Sequence, residues 1–254
     1  MDLLQIDLNW ALACSLVWTR LGLLLGLSPM AQAVKAPPSF WVLFTLALSG
    51  TLCIALNLRT PVPASLEGLI FLVLAEATLG ALMGLALHSA IAAFSMAGRI
   101  VDLQMGLGMG AVLDPVSRSN VPMLSVALSM LALSIFFGGE GHHALLRGIA
   151  RSLEWVPPGG SWQFPDAGNL LVLASGMFSV AVVVIAPTLF ILLLLEIALS
   201  VASRVLPQMN IVFIGMPIKT FAGLIVLALS APAMAPVMEG AFRSVFTFWQ
   251  GVLQ

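Results

Sequence analysis

Long apolar runs, divided by short polar stretches rich in proline or glycine, set the pattern of this chain. Runs poor in charge cover residues 8–27, 40–58, 68–97, 119–139, 167–195 and 205–238. Each reaches or approaches the ~20 residues that a membrane-spanning helix needs. Ser28-Pro29, Pro37-Pro38, Thr60-Pro61-Val62-Pro63 and Pro157-Pro158-Gly159-Gly160 punctuate them as turns or helix breakers. Between residues 141 and 156 the pattern becomes amphipathic. Leu145, Leu146, Ile149 and Leu153 share one side of a short helix, Arg147 and Arg151 lie on another, and Trp155 and Trp162 suit a membrane interface. A second stripe closes the chain: Phe242, Val245, Phe246, Trp249, Val252 and Leu253, with Arg243, Thr247 and Gln250 opposite. Its spacing predicts an interaction helix that docks on a partner or lies on the membrane surface.

Composition sharpens this picture. Of 254 residues 60% are hydrophobic and 8% charged, and mean hydropathy is +1.09, whereas soluble domains carry about 25% charge. The chain is an integral membrane protein or a subunit buried in an apolar assembly. A net charge of −1 offers no basic field for nucleic acid. Asp2 and Asp7 precede the first cation, Arg20, so the start lacks the basic region of a cleavable signal peptide. Cys14 and Cys53 lie within apolar runs and read as small buried hydrophobes. Loop cations are balanced: Arg59, Arg147, Arg151 and Arg243 on one set of alternate loops, Lys35, Arg99, Arg118, Arg204 and Lys219 on the other. The positive-inside rule therefore assigns no orientation. Arg20, Glu76 and His88 interrupt apolar runs, and Glu196, Arg204 and Lys219 stand at their borders. Such groups are expensive against lipid, which predicts helices packed mainly on protein or facing water.

Two stretches concentrate the remaining specificity. In the first, Gln104, Met105, Gly106, Gly108, Met109 and Gly110 lead into Asp114, Pro115, Ser117 and Pro122, with Met123 following. The glycines disfavour helix and strand, and the methionines are flexible and polarizable. Irregular backbone at membrane depth is tolerated only where it is buried in protein or lines a cavity. A deformable gate is the sharp reading and an ordinary connecting loop the plain one. The second stretch holds Arg204, Pro207, Gln208, Asn210, Phe213, Gly215, Pro217 and Lys219. Its prolines are expected to break or kink helix. Its amides suit either a polar turn between two helices or a contact with a neighbouring subunit, where Lys219 would meet a partner carboxylate. Catalysis has little support. Gly106-x-Gly108-x-Gly110 is not a dinucleotide fingerprint, and His142-His143 lacks accompanying ligands for a metal. No cofactor is implied.

The chain resembles the FliR family of flagellar export-gate proteins, whose injectisome counterpart is SctT. The likeness rests on Gln104-Met105-Gly106-x-Gly108-Met109-Gly110, on Asp114-Pro115-x-Ser117 with Pro122, and on residues 204–219. Within it, Ala186-Pro187-x-Leu189 through Gln208-x-Asn210 to Pro217-x-Lys219 is similar to FliQ, a two-helix gate subunit. The resemblance implies an all-α, membrane-associated subunit of long, broken helical hairpins. It also implies a FliP-like part over 1–160, holding a plug loop at about 104–122, and a FliQ-like hairpin over 161–254 with a C-terminal amphipathic helix. The expected partners are FliP, FliQ, FlhB, FlhA, membrane lipid and the unfolded flagellar proteins that pass through the pore. The expected place is the bacterial inner membrane at the flagellar basal body, partly raised to the periplasmic side. An injectisome export gate and, further off, a small-solute transporter with broken helices are the rival readings.

Overall fold

A computed structural model describes residues 7–28, 36–107, 122–160, 162, 164–205 and 211–253. These residues form helices joined by turns, with no strand among them: α1 (Leu8–Leu27), α2 (Pro38–Ala55), α3 (Leu66–Met105), α4 (Met123–Gly138), α5 (Gly141–Trp155), α6 (Ala167–Val205) and α7 (Ile211–Leu253). The all-α class is as expected. Helices α1, α2, α3, α6 and α7 are long and apolar enough to cross a membrane, while α4 and α5 are so only when taken together. Glu140, between these two, takes a left-handed conformation with φ 57°.

Helix ends follow local chemistry. Asp7 caps α1 by accepting from the Asn9 amide at 3.1 Å. Pro37-Pro38 opens α2, where a missing amide hydrogen costs nothing. Asn57 closes it with φ 49°: its amide donates to the Ile54 carbonyl at 3.3 Å and the Leu58 amide to Cys53 at 3.0 Å. That is the Schellman pattern with asparagine in the left-handed position. Helix α3 stops at Gly106, whose φ of +78° suits glycine better than any residue with a Cβ.

Three helices run beyond the apolar runs that nucleate them. With 40, 39 and 43 residues, α3, α6 and α7 are each ~60 Å long at 1.5 Å per residue, twice the ~30 Å of a hydrocarbon core. Pro217 was expected to break or kink the backbone. It does not break it: α7 continues through Pro217, Pro232 and Pro236, as α6 continues through Pro187. Apolar helices tolerate proline because neighbouring helices and hydroxyl side chains re-satisfy the freed carbonyls.

The chain forms two compact units that interleave in sequence: Met1–Ser89 with Glu140–Leu173 and Arg243–Gln254, and Ala90–Gly139 with Ala174–Phe242. A compact unit is thus a different division from the FliP-like and FliQ-like parts at 1–160 and 161–254. In the first unit α1 packs on α2, with the Trp18 indole donating to Thr45 Oγ1 at 3.0 Å. Helix α1 also packs on α3, where Gly80 and Gly84 face the backbone of Arg20 and Leu24. This small-x-x-x-small spacing lets two helix backbones meet. Leu145, Ile149 and Leu153 of α5 are buried, but Leu146 joins Arg147 and Arg151 on the exposed side.

The C-terminal stripe departs from expectation. It is the last part of α7, not a separate helix, and Val245, Trp249 and Leu253 are buried within the chain itself. The Trp249 ring lies so close to Gly148 that a Cβ there would sit 2.9 Å from it. The indole of Trp162 is likewise engaged, donating to the Val252 carbonyl at 3.2 Å. The buried side of the stripe is therefore covered within the chain itself. Removing everything after Glu239 is expected to lower accumulation of the chain, beyond any effect on partners, because loss of one large buried aromatic alone costs about 3–5 kcal/mol. Quantitative immunoblotting of the truncated chain expressed alone checks this.

Candidate functional site

The Gly/Met-rich stretch leaves α3 and enters α4, and both of its ends belong to the second unit. Gly108, Met109, Gly110, Asp114, Pro115 and Ser117 lie outside the described residues. Gln104 is exposed at the end of α3. Met105 was grouped with the deformable residues, but it is 1% exposed. Its side chain fills the space over Gly223 of α7, and its carbonyl accepts from Thr220 Oγ1 at 3.3 Å. Met105 is a fixed anchor, because a glycine notch on the facing helix receives it. Gly106 ends α3 with positive φ, and a Cβ added there would lie 3.8 Å from Met216 Cγ.

On the returning side Pro122 stands at the N-cap of α4 and has no side-chain acceptor for the first amides. A residue of α3 supplies one. Asp102, 3% exposed, accepts from the Leu124 amide at 3.1 and 3.3 Å and from the Ser125 amide at 3.3 Å. A carboxylate at a helix N-terminus satisfies orphan donors and opposes the helix dipole. Close by, the Ser95 and Ser125 hydroxyls share a hydrogen bond of 2.8 Å. Gly98 lies directly against the Ser125 backbone, with no room for a Cβ.

Of the second stretch, Pro207, Gln208 and Asn210 lie outside the described residues. Arg204 is exposed near the end of α6. Phe213, Gly215, Pro217 and Lys219 are all on α7, so the second half of the motif is helical. Phe213 is 78% exposed, and Gly215 abuts the Leu199 side chain. Lys219 was expected to meet a partner's carboxylate. It pairs at 3.1 Å with Glu196 of α6, because the two helices set these side chains side by side.

The family named bacterial export proteins, family 1, matches residues 11–245. The chain belongs to it. It is 30% identical over 210 residues to the flagellar biosynthetic protein FliR of Escherichia coli (strain K12), a match covering 82% of this chain and 80% of the relative. FliR of Caulobacter vibrioides is 27% identical over 236 residues, covering 91% and 93%. The surface presentation of antigens protein SpaR of Shigella sonnei is 25% identical over 198 residues, covering 78% and 74%. A family member of this kind is a membrane-associated component of bacterial protein export, in the FliR/SctT group.

Within this export protein the least expected feature is a buried ion pair. Arg20 of α1 and Glu76 of α3, 1% and 4% exposed, meet through Nε–Oε2 at 2.6 Å and Nη2–Oε1 at 3.0 Å. Arg20 also donates to the carbonyls of Ser152 at 3.0 Å and Val156 at 2.9 Å, and to Ser152 Oγ at 3.3 Å. Glu76 accepts from the Gly159 amide at 3.2 Å. One charge pair therefore ties α1, α3, the end of α5 and the Pro157–Gly160 turn, where Thr60 adds a bond to the Pro158 carbonyl at 2.7 Å. Both residues were expected to avoid lipid, but their mutual pairing was not drawn. The available signal was scarcity: an arginine and a glutamate, each inside an apolar run, in a chain with few charges. Asp102 and Thr220 carried no such signal, since each sits in an ordinary amphipathic context.

Proposed function

We propose that this chain is a core subunit of the flagellar type III export gate, forming with FliP and FliQ the pore through which unfolded flagellar proteins leave the cell. FlhB and FlhA are the further partners. The stretch from Gln104 to Pro122 acts as the plug. The observation that carries this reading is its composition, alternating glycine with Met109 beyond the anchored Met105, directly after α3, a helix of membrane-spanning length, in a protein of an export family. Methionine closes gaps through many weak dispersion contacts, and no single strong bond must break when a polypeptide passes. The 1–160 part is FliP-like and the 161–254 part FliQ-like. Gln208 and Asn210, with Arg204 and Pro207, contact neighbouring subunits, since amides freed by proline need partners in an apolar setting. The assembly sits in the inner membrane and is raised toward the periplasm, a reading supported by helices about twice as long as a ~30 Å hydrocarbon layer. The injectisome alternative is favoured only by the match to SpaR, at lower identity than the flagellar relatives quoted.

Deleting residues 106–112 is expected to raise potassium leak through the gate assembled with FliP and FliQ. Met109→Ala should do less, because neighbouring soft side chains fill part of the gap. Unchanged conductance after the deletion, with assembly intact, removes the plug role. Tight binding of a small solute by the purified single chain would favour a transporter instead.

A further inference from the structure

We infer that Asp102 is a positioning residue for the gate: it locks the two helices that carry the Gly/Met-rich segment into one joint, and the seal depends on that joint. The inference rests on the plug reading above. Three features converge at the place where the segment begins and ends. Met105, the last residue of α3, is seated over Gly223 and bonded through its carbonyl to Thr220, which fixes α3 on α7. Gly98 brings the α3 backbone against Ser125, and the Ser95–Ser125 hydroxyl bond closes the same crossing. Asp102 lies between Gly98 and Met105, about one helical turn from each.

The chemistry of the Asp102 contact separates it from an ordinary helix cap. A cap normally comes from the residue that starts the helix, and here that residue is Pro122, which offers no side-chain acceptor. The acceptor comes instead from 20 or more positions earlier in the chain, from another helix. The start of α4 is thus saturated only while it stays docked on α3. If α4 moved off, the Leu124 and Ser125 amides would lose their acceptor, and a nearly buried carboxylate would lose these two donors. Both losses carry a desolvation penalty. The joint is therefore stiff by construction, and it places both ends of the segment relative to α7.

The test is potassium efflux from vesicles holding the chain purified with FliP and FliQ, alongside accumulation of each variant. Asp102→Ala should leak several-fold more than the parent, and Asp102→Asn, which keeps one carbonyl acceptor, should fall between. A merely capping role is separated by adding Pro122→Ser to Asp102→Ala. Serine at the N-cap restores a local acceptor without rejoining α4 to α3. The double variant should accumulate like Pro122→Ser alone yet leak several-fold more than it does. If the double variant seals as tightly as Pro122→Ser, Asp102 serves only the helix start and the inference falls. It falls equally if neither Asp102→Ala nor the double variant accumulates, since Asp102 is then required for folding. If deletion of 106–112 leaks while the Asp102 variants do not, the joint is irrelevant and the plug reading survives. If that deletion does not leak either, both readings are overturned.

Discussion

Replacing Glu76 by alanine should nearly abolish accumulation of the chain. The substitution leaves the Arg20 guanidinium buried without its counter-charge, and it strips the Gly159 amide of its acceptor. Breaking one partner of a buried pair typically costs about 3–5 kcal/mol. The loss falls on a point that joins α1, α3, α5 and the turn after it, so those elements are expected to come apart together. Glu76→Gln should be milder, since it keeps the shape and one acceptor but not the charge. Arg20→Met with Glu76→Leu should be less damaging than Glu76→Ala, because no charge is left unpaired. It will not be neutral, for the Ser152 and Val156 carbonyls lose the donors that Arg20 gives them. Thermal unfolding in detergent and protease resistance, measured on each variant, give the order. Parental stability of Glu76→Ala would show that the pair contributes nothing to the fold.

The limits of what could be read from sequence follow from the same chemistry. The positions of α1, α2, α4, α5 and the starts of α3 and α6 were legible because apolar runs and proline or glycine breakers vary locally along the chain. The far ends of α3, α6 and α7 were not. Arg99, Asp102 and Gln104 interrupt hydropathy but not helix geometry, so α3 continues until Gly106 supplies a residue suited to positive φ. Proline misled for a related reason: in α7 the apolar surroundings and neighbouring helices make helix the least costly way to satisfy the backbone, and Pro217 is absorbed. The C-terminal stripe was visible as a stripe, but periodicity cannot say which surface covers it, and here α5 does through Gly148. The candidate gate residues were recognisable by type and order. What holds their flanks, Asp102 capping α4 and Met105 over Gly223, depends on contacts between helices distant in sequence, which no local pattern encodes.

Gly80→Val should be as damaging as Glu76→Ala, by a different route. A Cβ at position 80 would collide with the backbone of Arg20, and the atoms it meets are carbonyl and Cα, which cannot rotate aside. Helices α1 and α3 must then separate or slide. Overpacking usually costs about 1–3 kcal/mol when side chains can adjust, and here the obstacle is backbone, so the upper part of that range or more is expected. Separation at Gly80 also pulls on the ion pair, because Arg20 is the residue whose backbone is displaced and Glu76 lies one turn before Gly80 on the same helix. The two defects are therefore coupled, and combining Gly80→Val with Arg20→Met and Glu76→Leu should cost less than the sum of the separate losses. Gly84→Ala tests the same interface more gently. Its Cβ would sit 2.8 Å from the Leu24 carbonyl oxygen and 3.1 Å from the Leu27 Cβ, a closer fit than real contacts allow but one that a small tilt of α1 relieves. The expected order of melting temperature in detergent is parent, then Gly84→Ala, then Gly80→Val. A Gly80→Val chain as stable as the parent would mean that α1 and α3 do not meet through these glycines.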